Sequence, residues 1–407
     1  MLDHLCIAIP FDVSLVTETE TGRGVLAIDL HDLDVPLAAR SVARFDDGTI
    51  SAQILYHPYE SLPTHYTGMA VKVFDDSYSL PYVEIKCSPA KILQGHNVFG
   101  PESVELAASE MLGYLATAYP VLYGMLFIRG AEIRHLDITY SARLESEKMV
   151  VQVIDYLSRI SNGQTKATSN KKYQTTAYWG GAQSRLVQLK CYGKYTEYQS
   201  QLNDFKKLAA GSDSSAKRVY SVMSDPRLIK YTEGLLRWEA RIKKRKLERL
   251  GLPINLWDFI NYQRENSEIL ADLWIKATRP ILSALEGQTM RCLDDDSVLD
   301  ALKSVHFKVT AKGNISYTKA HNLFSSYCAI REHGLDFLKS RYAPSQFYNI
   351  LNQLMEAGFS KSYLQNLQSE NKSNIVPMLR FISVDFNSQY PDWYVEPVSQ
   401  FSQLRAA

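Results

Sequence analysis

Three short segments in which polar and apolar side chains alternate constrain the fold of this chain more than any other feature. They are Ala131–Arg143, Arg185–Tyr192 and Leu235–Lys243. Because successive residues of a β-strand point to opposite faces, each segment predicts a strand with one apolar and one charged face. If the three strands pair in one antiparallel sheet, helices would cover the apolar face and the charged side chains would share the other.

The rest of the chain divides into a strand-rich beginning and a helix-rich end. Short β-prone segments, from Leu5–Ile9 to Pro81–Cys87, fill the first 90 residues, and helical periodicity dominates from about residue 255. We therefore predict an α+β fold, with an antiparallel sheet that carries helices on one face and a mainly helical C-terminal domain. The predicted domains are residues 1–255, a helical connection over 256–289, and a helical C-terminal region over 290–407.

Composition excludes several classes of protein. The 45 basic and 44 acidic residues give a net charge of +1, so a nucleic-acid-binding surface must be a local basic patch. Five scattered cysteines have no zinc-finger spacing and predict reduced thiols in a reducing compartment. No apolar run approaches the length of a transmembrane helix, and the N-terminus lacks the basic segment of a signal peptide. We therefore expect no membrane partner and a cytoplasmic location.

The charged faces of the three strands carry candidate catalytic groups. Asp137, Tyr192 and Glu239 would share one face, with Lys194 two residues beyond the tyrosine. We predict that Asp137 and Glu239 bind Mg²⁺ or Mn²⁺, with His96 from a polar loop completing the metal shell. Such a metal would polarise a phosphate, and Tyr192 would attack its phosphorus to form a reversible phosphotyrosine.

Basic side chains next to these groups predict contacts with a DNA backbone. The third strand runs directly into the densest basic cluster of the chain. The predicted DNA-binding residues are Arg237, Arg241, Lys243, Lys244, Arg245 and Lys246. The polar, weakly basic Ser161–Lys172 segment is interpreted as a loop or a hairpin that contacts DNA.

Each of these site assignments has a structural alternative. Asp137 could pair with Arg134 or Arg241, and Glu239 could belong to a ladder of ion pairs on the surface. His96 could cap a tight turn instead of binding a metal. The residue types alone do not decide between these roles.

Five longer motifs lie along essentially the whole chain. They are Glu60–Tyr66, Ser88–Gly100, Ser161–Lys166, Asp296–Ser304 and Pro391–Tyr394. These motifs resemble the replication endonuclease family of filamentous bacteriophages. The resemblance implies a rolling-circle initiator that binds the phage origin in the double-stranded replicative form and nicks the plus strand. The free 3′ end would prime the host polymerase, assisted by a host helicase, and the enzyme would then cleave again and circularise the displaced strand.

The same resemblance implies a second product and allows self-association at the origin. The second product would start at an internal methionine, for which Met290 is the candidate. It would comprise the C-terminal region, bind DNA and restrain replication.

A more distant resemblance concerns the candidate site itself. The Tyr192–Glu197 segment and the strands of Asp137 and Glu239 are similar to motifs of plasmid rolling-circle initiators. Those proteins belong with the relaxase-like nucleases, which place a metal and a nucleophilic tyrosine on an antiparallel sheet. This chain departs from their commonest pattern because it lacks a His-hydrophobic-His strand, for which His135–Asp137 is the nearest match. Ligation by two histidines is therefore not predicted.

Two other functions fit the same residues. A metal-dependent nickase that used water would form no covalent adduct with DNA. A non-catalytic origin-binding regulator would need the basic surfaces but no metal. If a tyrosine is the nucleophile, Tyr195 is a second candidate beside Tyr192.

Overall fold

The computed structural model describes residues 1–20, 22–28, 34–35, 43–44, 50–51, 59–77, 80–158, 176–181, 184–285, 295–310, 314–370 and 384–401. Two sequence predictions lie outside these ranges, namely the Ser161–Lys172 segment and the internal start at Met290. None of the described helices combines the length and the apolar character that crossing a lipid bilayer requires.

Strands dominate the first half of the chain and helices the second. The strands are β1 (Leu2–Pro10), β2 (Val16–Glu18), β3 (Gly24–Leu26), β4 (Ala43–Arg44), β5 (Ile50–Ser51), β6 (Glu60–Pro63), β7 (Gly68–Phe74), β8 (Asp76–Ser77), β9 (Tyr82–Cys87), β10 (Glu132–Arg143), β11 (Thr176–Trp179), β12 (Val187–Gly193), β13 (Leu235–Lys243), β14 (Lys308–Val309) and β15 (Ile315–Ser316). The helices are α1 (Pro89–Gln94), α2 (Val104–Ala118), α3 (Pro120–Gly124), α4 (Glu147–Ser158), α5 (Lys194–Ala209), α6 (Ser214–Met223), α7 (Pro226–Thr232), α8 (Lys244–Arg249), α9 (Leu256–Glu265), α10 (Ile269–Leu285), α11 (Asp295–Val305), α12 (Thr318–His333), α13 (Leu335–Arg341), α14 (Pro344–Glu356) and α15 (Lys361–Glu370).

An antiparallel sheet organises the N-terminal part of the molecule. Its strand order is β11–β12–β13–β10–β1–β9–β7–β6. The three alternating segments of the sequence are neighbours, since β13 pairs with β12 on one side and with β10 on the other. The predicted α+β fold is thereby confirmed. β1 begins at Leu2, earlier than the predicted Leu5, because the buried Leu2 continues the pairing with β10.

One face of this sheet forms the main hydrophobic core. Helices α2, α4, α9 and α10 contribute their apolar side chains to it. At its centre the rings of Trp179 and Trp238 stack with centroids 5.5 Å apart, and the Trp274 indole donates a hydrogen bond to the Trp238 carbonyl at 3.3 Å. The segment predicted as a helical connection, 256–289, therefore contains two helices that pack against the sheet.

A smaller apolar cluster covers one end of the opposite, polar face. Val98 and Phe99, from the His96–Gly100 loop, pack there against Leu235 and against helices α5, α6 and α7. Leu235 is the first residue of β13 and Lys243 its last. This second helical cover therefore lies at the Leu235 end of the polar face.

The C-terminal helices enclose an apolar cluster of their own. Helices α11, α12, α14 and α15 each contribute buried side chains to it. This agrees with the helical C-terminal region predicted from the sequence, while the domain boundaries at residues 255 and 289 remain predictions.

Residues 384–401 return to the sheet domain, and we call them the C-terminal strap. The Gln389 side chain hydrogen-bonds both backbone groups of Ser141 in β10, and the Ser399 hydroxyl donates to the buried carboxylate of Glu110 in α2. The strap thus connects the end of the chain to the central strand of the sheet.

We predict that Gly234→Ala destabilises the sheet domain. Gly234 has φ of +71°, and an added methyl group would overlap the carbonyl oxygen of Leu144. Strain of this kind costs about 1–3 kcal/mol, so the midpoint of thermal unfolding should fall. The control Gly181→Ala adds a methyl group in open space. Equal melting temperatures for the two variants would contradict the prediction.

Candidate active site

Two β-bulges bring a pair of histidines onto the polar face of the sheet. A shift in the pairing of β1 with β10 places Asp3 and His4 together on this face, and a second shift does the same for Arg134 and His135. Two adjacent polar residues within a strand break the alternation, which is the sequence signal of such a bulge. The sequence prediction missed His4 because it began the strand at Leu5.

His4, His135 and Asp137 form a cluster that we call the histidine cluster. His4 lies opposite Asp137 in the sheet, and the two imidazole rings stack with centroids 5.3 Å apart. One potential ligand atom from each residue lies within 4.8 Å of the other two. Among the residues that the structure describes, no other group of His, Cys, Asp or Glu side chains meets this criterion.

The chemistry of the histidine cluster fits a divalent metal ion. His4 Nδ1 and His135 Nε2 are buried and have no hydrogen-bond partner among the described residues. Burial lowers the pKa of both imidazoles, that of His135 to about 2, so both are neutral at pH 7 and keep a nitrogen lone pair for a metal. Two imidazoles and a carboxylate suit Mn²⁺ better than Mg²⁺, which prefers an all-oxygen shell.

Arg241 holds Asp137 from the neighbouring strand. Arg241 Nε donates to Asp137 Oδ1 at 2.7 Å, and an Arg241 terminal nitrogen donates to Oδ2 at 2.6 Å. The ion pair considered as an alternative role for Asp137 is therefore present. It does not exclude a metal, because each carboxylate oxygen has a second lone pair. The half-exposed guanidinium can also meet a phosphate oxygen.

Glu239 lies beside the histidine cluster and pairs with Lys190. The Lys190 Nζ to Glu239 Oε1 distance is 2.7 Å, whereas Oε2 is buried and has no partner in the described part of the chain. Burial, together with the charges of Asp3 and Asp137, raises the pKa of Glu239 to about 7. Glu239 can therefore take up or release a proton near neutral pH. Its ion pair runs across the strands to Lys190 and not along β13 to the flanking arginines.

Tyr192 lies apart from the histidine cluster. In the sheet register it is opposite Arg237, whereas Asp137 is opposite Arg241. The two arginines are four residues apart on β13, which corresponds to about 13 Å along the strand. The Tyr192 side chain is buried, and burial raises its pKa well above the usual value. The guanidinium of Arg237 is also buried and donates to two carbonyl groups of the His96–Gly100 loop, so neither side chain faces solvent.

Lys194 belongs to a buried polar network at the start of α5. Its Nζ donates to Asn97 Oδ1 at 2.9 Å and to Glu197 Oε2 at 2.7 Å, and the Asn97 amide donates to Asp3 at 2.8 Å. Burial lowers the pKa of Lys194 to about 8. The network fixes the His96–Gly100 loop between β1 and α5. In this structure Lys194 therefore positions the loop and does not point to the histidine cluster.

His96 caps a turn within the same loop. Its Nδ1 accepts a hydrogen bond from the Val98 N–H at 3.3 Å, and its ring packs edge-on against Phe99 at 4.8 Å. Burial lowers the pKa of His96 to about 3. The structure does not bring His96 to Asp137, so the turn cap considered as its alternative role is the contact observed.

A basic groove lies next to the histidine cluster, at the Lys243 end of β13. Lys243 is opposite His135 in the sheet, Lys244 forms a 2.7 Å ion pair with Glu132, and Arg245 is exposed. The groove is lined by Arg134, Ser184, Arg185, Lys243, Lys244, Arg245 and Glu248. Sequence reasoning missed the two arginines Arg134 and Arg185, because only the fold brings them to the Lys243–Lys246 cluster.

Comparison with known proteins gives the family. A model of the N-terminal part of the phage replication-associated protein matches residues 1–268, and a model of the C-terminal part of the same protein matches residues 309–400. The chain is 40% identical to the replication-associated protein of Enterobacteria phage fd and to that of Enterobacteria phage M13, each over 98% of this chain and 99% of the relative. It is 39% identical to the protein of the same name from Salmonella phage IKe, over 99% of this chain and 98% of that relative. No solved structure matches the chain.

The N-terminal match contains the whole sheet with its histidine cluster, and the C-terminal match contains most of the separate helical core. Both parts therefore agree with the resemblance that the sequence motifs indicated. This chain belongs to the replication-associated protein family of the filamentous phages.

Proposed function

We propose that this chain initiates rolling-circle replication by nicking the plus strand of the phage replicative form at its origin. A later cleavage by the same site would release the displaced strand and circularise it. The observation that carries the proposal is the histidine cluster beside the basic groove, because this pairs a metal-ligand set with a surface for DNA phosphates. The replication-associated family supports the same role.

In this proposal His4, His135 and Asp137 hold Mn²⁺ or Mg²⁺. When bound, the ion supplies Lewis-acid polarisation of the scissile phosphate. Arg241, which already holds Asp137 in place, would orient a non-bridging phosphate oxygen with its exposed edge. The side chains of the basic groove would neutralise the adjacent phosphates. Glu239, predicted from the sequence as a ligand, would serve as a proton donor instead.

The cleavage step is an attack of a tyrosine hydroxyl oxygen on phosphorus. The new bond joins the tyrosine oxygen to the 5′ phosphate, the bond from phosphorus to the 3′ oxygen breaks, and the hydroxyl proton is released to solvent. The leaving oxygen takes up a proton, which Glu239 would supply, and becomes the free 3′ hydroxyl that host polymerase extends. Attack by a 3′ hydroxyl on the phosphotyrosine reverses the step and closes a strand.

Tyr192 is the proposed nucleophile, and its hydroxyl would have to leave its buried position when DNA binds. Other tyrosines on the polar face include Tyr178 and Tyr59. Tyr178 is opposite Lys190 in the sheet, and Tyr59 donates a hydrogen bond to Glu84 next to Lys86. The burial of Tyr192 also favours a second candidate function, a metal-dependent nickase that uses water.

The proposed setting is the cytoplasm of the host bacterium. The DNA partners would be the double-stranded origin and the displaced single strand, and a host helicase and polymerase would act on the nicked product.

We predict that Tyr192→Phe abolishes origin nicking. Loss of the attacking oxygen should lower the nicking rate by a factor of about 1,000 or more and remove any denaturant-resistant protein–DNA adduct, while origin binding persists. A supercoiled plasmid carrying the origin, assayed in Mn²⁺ and in Mg²⁺, measures both quantities.

Tyr195→Phe, Tyr178→Phe and Tyr59→Phe are the matched variants of this assay. Parental nicking by Tyr192→Phe would exclude Tyr192, and a loss confined to one of the other three would identify the nucleophile. Nicking by all four variants without an adduct would support the water mechanism.

We predict that His4→Ala and His135→Ala each weaken Mn²⁺ binding by about tenfold or more, since each removes one of three ligands. Titration calorimetry with Mn²⁺ measures this without DNA. His96→Ala is the comparison, because His96 caps a turn away from Asp137. Weakening by His96→Ala alone would overturn the ligand set proposed here.

We predict that Arg185→Ala and Lys243→Ala weaken DNA binding equally for origin and unrelated sequences. Each removes about one phosphate contact, so the slope of log affinity against log salt should fall by about 1. Lys207→Ala, which removes an exposed lysine on α5, should leave the slope unchanged. Unchanged slopes for the first two variants would show that DNA does not follow the groove.

A further inference from the structure

The C-terminal strap packs several of its apolar side chains against the sheet domain. Val384 packs against the main core, and Tyr390 and Tyr394 pack against the smaller cluster of Val98 and Phe99. Among the described residues, the core of α11–α15 takes no side chain from the strap. The strap contains one turn of 3-10 helix, Phe386–Ser388, so its attachment depends on side-chain contacts.

The first half of the strap hydrogen-bonds the backbone of β10 at Ser141. The side-chain oxygen of Gln389 accepts a hydrogen bond from the Ser141 N–H at 2.8 Å, and the side-chain amide of Gln389 donates to the Ser141 carbonyl at 3.0 Å. The side-chain amide of Gln389 thus satisfies the two backbone groups of Ser141, as a neighbouring strand would. The Tyr390 hydroxyl donates to the Gly100 carbonyl at 3.2 Å, which ties the strap to the His96–Gly100 loop.

The second half of the strap surrounds a buried carboxylate on α2. Glu110 is 2% exposed and accepts hydrogen bonds from the Ser399 hydroxyl at 2.6 Å, from the Gln400 N–H at 3.2 Å and from the Gln400 side-chain amide at 3.1 Å. A buried carboxylate is costly without such donors. Burial of the Glu110 carboxylate therefore depends on the hydrogen-bond donors of the strap.

One helical turn further along α2, Gly113 makes room for the last described residue of the strap. A methyl group at position 113 would overlap the ring of Phe401, which packs edge-on against Tyr114 at 5.0 Å. Glycine in the middle of a helix is unfavourable relative to alanine. Here it opens the site that Phe401 fills.

We propose that this surface is a docking site for the strap segment, and that it binds the same segment from a second copy of the chain when its own strap is displaced. The contacts are the same whether the segment comes from one chain or two. The chain's own strap has the higher effective concentration at this surface, so it is favoured over the strap of a second copy under ordinary conditions. An exchange would join two copies by domain swapping.

Two full-length variants test the exchange. Gly113→Ala blocks the Phe401 site but keeps the strap intact. The triple variant Ser399→Ala, Gln400→Ala, Phe401→Ala keeps that site open but removes the side chains that the second half of the strap places there, while the contacts of Gln389 and Tyr390 remain. Neither variant alone contains both Phe401 and an open Phe401 site, whereas a mixture contains both on different copies. With fluorescent donor and acceptor labels on different copies, we expect energy transfer in the mixture to exceed that of either variant mixed with itself by about tenfold or more.

Gly124→Ala is the control for Gly113→Ala, because it adds a methyl group in open space and leaves the chain's own strap in place. Its mixture with the triple variant should give no added energy transfer. If both test variants melt like the parent and their mixture gives no transfer, the proposal is overturned.

A labelled peptide of residues 395–401, the second half of the strap, provides a second measurement that does not depend on the folding of Gly113→Ala. Its anisotropy should show binding to the triple variant at least about tenfold tighter than to the parental chain, whose site is occupied by its own strap. Equal binding to the two chains would overturn the proposal.

Discussion

The antiparallel pairing of β10 with β1 on one side and β13 on the other is the constraint on which the rest of the structure depends. The side-chain repeat of a strand is two residues, so a slip of one position would move His135 and Asp137 into the core and expose Leu136. The two bulges change this register locally and only where a charged residue stands next to a histidine. The main core and the polar face are therefore fixed by the same pairing.

Charge on the polar face is largely balanced in pairs. Asp137 has Arg241, Glu239 has Lys190, and Glu197 has Lys194. A buried charge without a partner would be strongly destabilising, so each carboxylate needs its cation. At the Lys243 end, where the groove opens, basic side chains outnumber acidic ones. This distribution explains how a chain with a net charge of +1 can present a surface for DNA phosphates.

Alternation in the sequence predicted the strands around Asp137, Tyr192 and Glu239 and the face that each side chain occupies, because these are local properties of a strand. It did not predict what covers that face. Tyr192 and Lys194 are buried by a loop and helices that the pattern of β12 does not encode. His4 was missed because a bulge replaces alternation at the start of β1. The strap was missed because its partners on α2 and β10 are distant in sequence. The family resemblance rested on sequence motifs and not on long-range contacts, and it was confirmed over nearly the whole chain.

The strap follows the last strand of the large sheet in the sequence, which sets an order of events during translation. All strands of the large sheet have left the ribosome soon after residue 243, but the partners of Glu110 and Gly113 follow only with residues 399–401. At bacterial elongation speeds this interval is on the order of 10–30 s. During this interval the docking surface of a nascent sheet domain has no strap of its own, so a strap displaced from another copy meets no competitor there.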